Sequence, residues 1–145
     1  DAGTPAALVT ATTFDGAPED ILAENFEGID ADTSPIKYRS CFQTPLSQAM
    51  MTETFAPYET PTPLTAPSWF DCFDAKTLEA DIESGAAMAF MGTENIAYGI
   101  DRVLAVYGDG RAYAWHQINV CGSTVFDGEP APEGCPPAPS ASAGQ

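Results

Sequence analysis

The chain has 145 residues, a length that suits one domain with one core, and 44% of them are hydrophobic. Twenty-one acidic residues stand against five basic ones, which gives a formal net charge of -16. A surface this negative repels phosphate backbones and anionic headgroups, so we expect no nucleic-acid partner. The plentiful apolar residues exclude a wholly disordered chain.

The first third of the chain predicts two strands and one ambiguous segment. ALVTATTF (7–14) predicts a strand because it is rich in β-branched residues. ILAENFEGI (21–29) is compatible with a short helix or an irregular strand. SPIKYRSCF (34–42) alternates, with Ile36, Tyr38 and Phe42 on one face and Lys37, Arg39 and Cys41 on the other, which predicts a strand over 35–42.

The middle of the chain predicts two helices separated by a loop. TPLSQAMMTETF predicts a short helix that begins at Thr44 as N-cap with Pro45 in the first turn. PYETPTPLTAPSW holds too many prolines for a helix or a central strand, so we expect a stiff extended loop. FDAKTLEADIESG predicts a helix over 75–84, with Asp74 as N-cap and Gly85 in a left-handed C-terminal cap.

Three further extended segments complete the predicted sheet, at 86–91, 98–107 and 111–119. The fold class is therefore α+β: an antiparallel sheet with one or two short helices packed on one face, and with two disulfides. We expect one extracytoplasmic domain over 1–128. The Pro/Ala/Ser-rich tail over 129–145 is expected to be tethered through Cys135 and disordered beyond it.

The four cysteines predict disulfides rather than a metal site. They lack a CxxC pair, so a zinc site would need all four thiolates from scattered loops. Of the three connectivities that four cysteines allow, we expect Cys41–Cys72 and Cys121–Cys135, because the second pair closes a short loop rich in proline and glycine. Disulfides indicate an oxidising compartment, either the periplasm or the cell exterior.

His116 is the only histidine, and its partner depends on the register of the hairpin around Gly108–Gly110. With a two-residue turn, His116 lies opposite Val103 and shares a face with Asp101, which we expect as its structural hydrogen-bond partner. With Gly110 as a left-handed bulge, the register slips by one and His116 lies opposite Arg102. The sequence does not decide between these registers.

No metal or cofactor is expected. Copper at His116 and the methionines is rejected because Met88 and Met91, three apart in a strand, point to opposite faces. Calcium at IDADTS is rejected because the stretch lacks the glycine and the distal glutamate of a calcium loop. For Lys37 and Arg39 we expect local ion pairs with acids, with anion binding as the alternative.

Exposed aromatic and polar side chains give a candidate interaction surface. The best exposed candidate is Trp69, on the proline-rich loop. The two-residue register puts the other members on one face of the hairpin: Arg102, Tyr113, Trp115 and Gln117. For most of the aromatic members, we expect burial in the core rather than exposure at an interface.

The stretches IDADTSPIKYRSCF, LTAPSWFDCFDA, NIAYGIDRV and WHQINVCG resemble an uncharacterised alphaproteobacterial family that is sometimes labelled histidine kinase. The resemblance covers about residues 17 to 135. The kinase label does not fit, because the chain has no phosphate-cradling glycine loop. The resemblance implies one N-terminal membrane span followed by a periplasmic domain, and it supplies no catalytic residues.

We therefore expect a non-enzymatic periplasmic accessory or protein-interaction domain that docks on a larger envelope or inner-membrane complex. Contact with the membrane is expected only through an anchor outside this sequence, because no run of about 18 apolar residues occurs. The alternatives are a small hydrolase that uses Asp101 and His116, and a secreted structural subunit.

Overall fold

The computed structural model describes residues 7–30, 34–130 and 132–136. The strands are β1 (Ala7–Thr12), β2 (Pro18–Ile29), β3 (Arg39–Gln43), β4 (Ala87–Ala97), β5 (Ile100–Tyr107) and β6 (Arg111–Ile118). The helices are α1 (Gln48–Thr54), α2 (Ala75–Ser84) and α3 (Val120–Phe126), and a 3-10 turn covers Pro35–Lys37. The predicted disorder of the tail beyond residue 136 falls outside the described residues.

The six strands form one antiparallel sheet in the order β1-β2-β3-β6-β5-β4. The sheet curls until its two edge strands approach each other, and the Thr12 hydroxyl donates to the Gly92 carbonyl at 2.9 Å. The chain after α1 fills the remaining seam: the Ala56 amide donates to Thr12, and the Met91 amide donates to the Ala56 carbonyl, each at 2.9 Å. The result is nearly a closed barrel.

Curling divides the buried side chains into an inner and an outer cluster. The inner cluster collects residues from all six strands: Val9, Ala11, Ile21, Ala23, Phe42, Phe90, Leu104, Val106, Ala112 and Ala114. The outer cluster combines residues of strands β3, β4, β5 and β6 with residues of α2 and of the long connection that precedes it. Its members are Cys41, Phe70, Phe73, Leu78, Ala87, Val103, Ala105, Tyr107 and Trp115. Strand β5 is buried on both faces, which explains its unbroken apolar run VLAVY.

The predicted antiparallel sheet is confirmed, but its helices do not share a face. The buried residue of α1, Met51, belongs to the inner cluster, and that of α2, Leu78, belongs to the outer cluster. The physical reason is the curl of the sheet, which separates the surfaces on which the two helices rest.

The N- and C-terminal caps predicted for α2 are confirmed. The Asp74 carboxylate accepts from the Thr77 amide at 3.1 Å, and Gly85 has φ = +90°. Helix α1 begins later than predicted, after Ser47, whose hydroxyl accepts from the Met50 amide at 3.1 Å. Thr44 does not cap it, because the Thr44 hydroxyl accepts from the Leu46 amide at 3.2 Å, ahead of the helix.

Strand β3 is shorter than the predicted 35–42. Pro35 begins a 3-10 turn, since proline has a fixed φ and no amide hydrogen to give to a neighbouring strand. The ambiguous segment 21–29 is a strand, with a register shift between Glu24 and Glu27 and a left-handed Asn25 (φ = 54°). The extended segment predicted over 111–119 ends at Ile118, and Asn119 caps helix α3, which the sequence did not predict.

Both predicted disulfides are present. Cys41–Cys72 spans 31 residues and ties the long connection to the outer face of β3. Cys121–Cys135 spans 14 residues and ties the start of the tail to α3. On the chain-entropy model these loops correspond to roughly 4 and 3 kcal/mol of stabilisation.

A close backbone contact between Gly99 and Gly122 leads to a prediction. A methyl group at Gly122 would overlap the carbonyl group of Gly99, so α3 can approach the β4–β5 turn only with glycine at this position. We expect Gly122→Ala to lower the free energy of unfolding by about 1–3 kcal/mol, the usual cost of overpacking, although alanine is the better helix former.

The measurement is urea unfolding of the oxidised protein. Ser123→Ala, at an exposed position in the same helix, is the control and is expected to stay within about 0.5 kcal/mol of the wild type. A Gly122→Ala protein as stable as this control would show that α3 does not need the close contact.

Candidate functional site

The β5–β6 hairpin adopts the register with a left-handed Gly110. Its φ is +94°, and its amide donates to the Tyr107 carbonyl at 3.1 Å. Arg102 therefore lies opposite His116, while Asp101 lies opposite Gln117. Since a slip of one residue moves every side chain to the other face, the predicted Asp101–His116 pair is wrong.

His116 is buried between two other partners. Its Nδ1 lies in hydrogen-bond contact with the Pro35 carbonyl, and its Nε2 is 3.1 Å from the Nε of Arg102. A carbonyl only accepts and an arginine only donates, so the proton sits on Nδ1 and Nε2 accepts. The His116 ring also stacks on the Tyr38 ring, with centroids 4.6 Å apart. The Arg102 guanidinium lies over the same Tyr38 ring, 4.1 Å from its centroid.

This environment keeps the imidazole neutral. Burial lowers the pKa of His116 below its usual value, and the nearby charges of Arg102 and Arg39 act in the same direction, whereas the Pro35 hydrogen bond and Asp30 oppose them. A neutral ring held from both nitrogens anchors the 3-10 turn to β6. The ring is thus a structural element between β6, β5 and the turn.

Asp101 lies on the outer face and joins three separate segments. Its carboxylate accepts from the Tyr58 hydroxyl at 2.7 Å, from the Asn95 amide at 2.9 Å and from the Asn119 side chain at 2.8 Å. Burial and this carboxylate raise the pKa of Tyr58. The three bonds connect the proline-rich loop, the last part of β4 and the start of α3 to one buried acid.

The predicted interaction surface is mostly buried. Trp115 is fully buried, its Nε1 donates to Gln117 at 2.9 Å, and the Gln117 side chain binds the backbone of Thr60 and Thr62. Tyr113 packs half-buried against the outer cluster. Arg102 points to the inner face with His116, so these four residues do not form one surface. Gln117 instead holds the proline-rich loop in place.

Trp69 is the member that is exposed, at 71% of its side-chain and backbone area. Its ring meets Phe70 edge to face, with centroids 6.2 Å apart. Cys72, three residues further, is fixed to β3 by its disulfide. Trp69 therefore projects from a loop that is held on both sides of it.

Trp69 borders a groove with a volume of about 720 Å³. This size lies in the range of ligand sites, about 300–1,000 Å³. One wall is the end of β2 and the 3-10 turn, and the other is the proline-rich loop. The lining residues are Gly28, Ile29, Asp30, Ile36, Lys37, Arg39, Leu64, Thr65, Ala66, Pro67 and Trp69.

Arg39 lies beneath the groove and connects its two walls by hydrogen bonds. Its guanidinium donates to the carbonyls of Leu64 at 2.9 Å and Thr65 at 3.2 Å on one wall, and to those of Ile36 at 2.8 Å and Tyr38 at 2.7 Å on the other. The acceptors of this buried arginine are thus backbone carbonyls instead of the acids that the sequence led us to expect. In the sequence, the two cations Lys37 and Arg39 in one predicted strand drew attention to this segment, but they did not predict a groove.

No metal centre is found among residues 7–30, 34–130 and 132–136, where no three His, Cys, Asp or Glu side chains converge to hold an ion. Residues 31–33 of the IDADTS stretch lie outside that range. No helix in the same part of the chain is long and apolar enough to cross a membrane.

Fold and site together define a small disulfide-bonded antiparallel β domain with an open apolar groove. The chain belongs to the family of unknown function DUF6446, which matches residues 8–136. The matched range contains both disulfides and every groove residue. No curated protein matches the chain, and no solved structure does.

The neutral state of His116 predicts a pH dependence of stability. Because its pKa is lower in the folded protein than in the unfolded chain, where it is about 6.5, the unfolded chain takes up the proton first. The contribution of the neutral His116 ring to the free energy of unfolding is fully present above about pH 7 and is lost as the pH falls through 6.5. The loss between pH 7.5 and 5.5 reaches at most about 1.4 kcal/mol.

Urea unfolding at both pH values measures this loss. His116→Gln removes the titrating group, so the variant is expected to be less stable at pH 7.5 and to lose less stability between pH 7.5 and 5.5 than the wild type. Equal losses in both proteins would show that His116 does not titrate as a buried neutral ring.

Asp101 gives a second prediction for this region. Asp101→Asn replaces a carboxylate that accepts three hydrogen bonds with an amide whose NH₂ group faces donors, so we expect a loss of about 2–3 kcal/mol in the free energy of unfolding. Glu79→Gln, the same chemical change at an exposed site of α2, is expected to be nearly neutral. If urea unfolding gave equal stabilities for the two variants, the hydrogen bonds of Asp101 would not stabilise the fold.

Proposed function

We propose that this chain is a non-enzymatic protein-interaction domain that works outside the cytoplasm and binds its partner in the groove beside Trp69. The observation that carries the proposal is an exposed tryptophan at the edge of an apolar groove on a loop that is already fixed. Tryptophan is among the residues most enriched at the energetic centres of protein interfaces.

Rigidity of the groove supports a binding role. Arg39 bonds both walls, Gln117 holds Thr60 and Thr62, and the Cys41–Cys72 disulfide closes the far end of the loop. A partner that binds here does not have to order the loop, so less of the binding free energy is lost to conformational entropy. The groove is therefore pre-organised for binding.

The hydrolase alternative is not proposed, since its premise was a hydrogen bond between Asp101 and His116. The two side chains lie on opposite faces of the hairpin, and each is fully engaged with other partners. A catalytic histidine accepts a proton from a nucleophile or water, whereas Nε2 of His116 faces the Arg102 donor and Nδ1 faces the Pro35 carbonyl.

Two disulfides indicate a location outside the cytoplasm. We place the domain, as part of the same proposal, in the periplasm, held at the inner membrane by an anchor in the full-length protein and docked on a larger envelope complex. The resemblance described from the sequence supports this placement. The negative charge of the chain favours contacts with proteins over contacts with anionic headgroups.

Site-specific photo-crosslinking tests the proposal. The photoreactive phenylalanine analogue p-benzoylphenylalanine replaces Trp69 in the full-length protein in its source cells, and the same analogue replaces Phe14, which is 60% exposed and does not line the groove. We expect a discrete protein adduct from position 69 that is absent from position 14. Adducts of equal intensity at both positions, or none at position 69, would refute a docking role for the groove.

A further inference from the structure

The groove differs in charge from the rest of the chain. Among the residues that the structure describes, two cations, Lys37 and Arg39, and one acid, Asp30, line it, so this described lining carries a formal charge of +1. The whole chain carries -16. A positive lining inside so acidic a protein is a local exception.

Lys37 is the exposed cation of this lining. Its side chain forms no hydrogen bond or ion pair with residues 7–30, 34–130 or 132–136, in contrast to Arg111, which pairs with Asp109 at 2.9 Å. The 3-10 turn that carries Lys37 is fixed by the contact of Pro35 with His116 and by the bond of Ile36 to Arg39. The ammonium is thus held beside the apolar lining without a described partner, although acids outnumber bases fourfold in this chain.

Arg39 adds a second positive charge directly beneath the lining. It is buried, and it retains its charge because an arginine in a protein is effectively always protonated. Its carbonyl acceptors are neutral dipoles, so they satisfy its donors without cancelling its charge. In the partly buried groove this charge is less screened by water than the charge of a surface lysine.

We infer that the groove binds an extended segment of a partner protein in which one acidic side chain is flanked by apolar side chains. The apolar side chains lie against Ile29, Ile36, Leu64 and Trp69, and the carboxylate pairs with Lys37 above the charge of Arg39. This inference rests on the proposed function and specifies its partner. Because the chain as a whole repels strongly acidic partners, the segment carries a single acid in an apolar context.

An acidic side chain fits the groove better than the free carboxylate of a chain terminus. Terminal carboxylates are captured by converging backbone amides. Here Pro63 and Pro67 have no amide hydrogen, and the carbonyls of Leu64 and Thr65 turn toward Arg39. The exposed cation of the described lining is the Lys37 ammonium, and its one positive charge suits one carboxylate of a side chain.

Selection from a display library of random linear decapeptides, each flanked by constant residues so that no free terminus lies in the random part, tests the inference. The bait is the full oxidised chain, compared with Lys37→Gln and with Lys76→Gln, a matched loss of one exposed lysine that does not line the groove. We expect peptides with one Asp or Glu between apolar residues from the wild type and from Lys76→Gln, but no acidic preference from Lys37→Gln.

Affinities of the enriched peptide and of its Glu→Gln or Asp→Asn form give the size of the effect. We expect the amide form to bind the wild type about two- to fivefold more weakly, as for a partly exposed ion pair. The two forms are expected to bind Lys37→Gln equally. Trp69→Ala is expected to weaken both forms at least tenfold, whereas Phe14→Ala leaves them unchanged. Circular dichroism and thermal melting confirm that each exposed-site variant is folded.

The outcomes separate this inference from the proposed function. Trp69-dependent peptides without an acid, or an acidic preference that survives Lys37→Gln, would overturn the inference and leave the proposed function standing. If no enriched peptide depends on Trp69, both are overturned. Trp69-dependent binding to phosphatidylcholine vesicles, measured as reduced acrylamide quenching of tryptophan fluorescence, with no Trp69-dependent peptide, would show a lipid occupant instead and would also overturn both.

Discussion

The backbone conformation of Gly110 determines the arrangement of most polar side chains in this domain. With φ = +94°, this residue adopts a region that an L side chain rarely enters, and the resulting bulge shifts the pairing of β5 with β6 by one residue. The shift sends His116 and Arg102 to the inner face and Asp101, Trp115 and Gln117 to the outer face. A two-residue turn would put Asp101 on the face of His116 and Gln117 on the opposite face, which would separate two side chains that now hold the proline-rich loop.

The loop depends on those outer residues because it has little regular structure of its own. Tyr58 binds Asp101, Thr60 and Thr62 bind Gln117, Leu64 and Thr65 bind Arg39, and Cys72 is joined to Cys41. These anchors follow one another along the chain, so every few residues the loop is fixed to the sheet. The prolines between them reduce the freedom of the unfolded loop and so lower the entropy cost of this extended path.

Local signals made much of the fold predictable from the sequence. The caps Asp74 and Gly85 located α2, and alternation with the spacing of turns located the sheet. The disulfides followed from cysteine number and spacing. Helix α3 was missed because the β-branched residues Ile118 and Val120 on either side of Asn119 favour a strand, while the Asn119 cap, which accepts from the Gly122 amide at 2.9 Å, begins a helix.

The groove could not be predicted in the same way, because its walls come from segments about thirty residues apart that are joined by Arg39 and a disulfide. The alternation that placed Arg39 and Lys37 on one face also failed at Pro35, since the 3-10 turn rotates Lys37 away from the strand geometry. Arg39 is therefore buried and bonds both walls, whereas Lys37 is exposed and forms no ion pair with the residues that the structure describes. Neither role follows from residue type alone.

The positions of these residues separate those that stabilise the fold from those that would contact a bound partner. The buried polar groups Asp101, His116, Arg39 and Gln117 have their hydrogen bonds satisfied within the chain, so a change at any of them acts first on stability. Trp69 and Lys37 are exposed and contribute little to the folded state, so a change at either acts first on what the groove binds. Substitutions at Trp69 and Lys37 can therefore change what the groove binds, while the hydrogen bonds of the buried Arg39 keep its two walls in place.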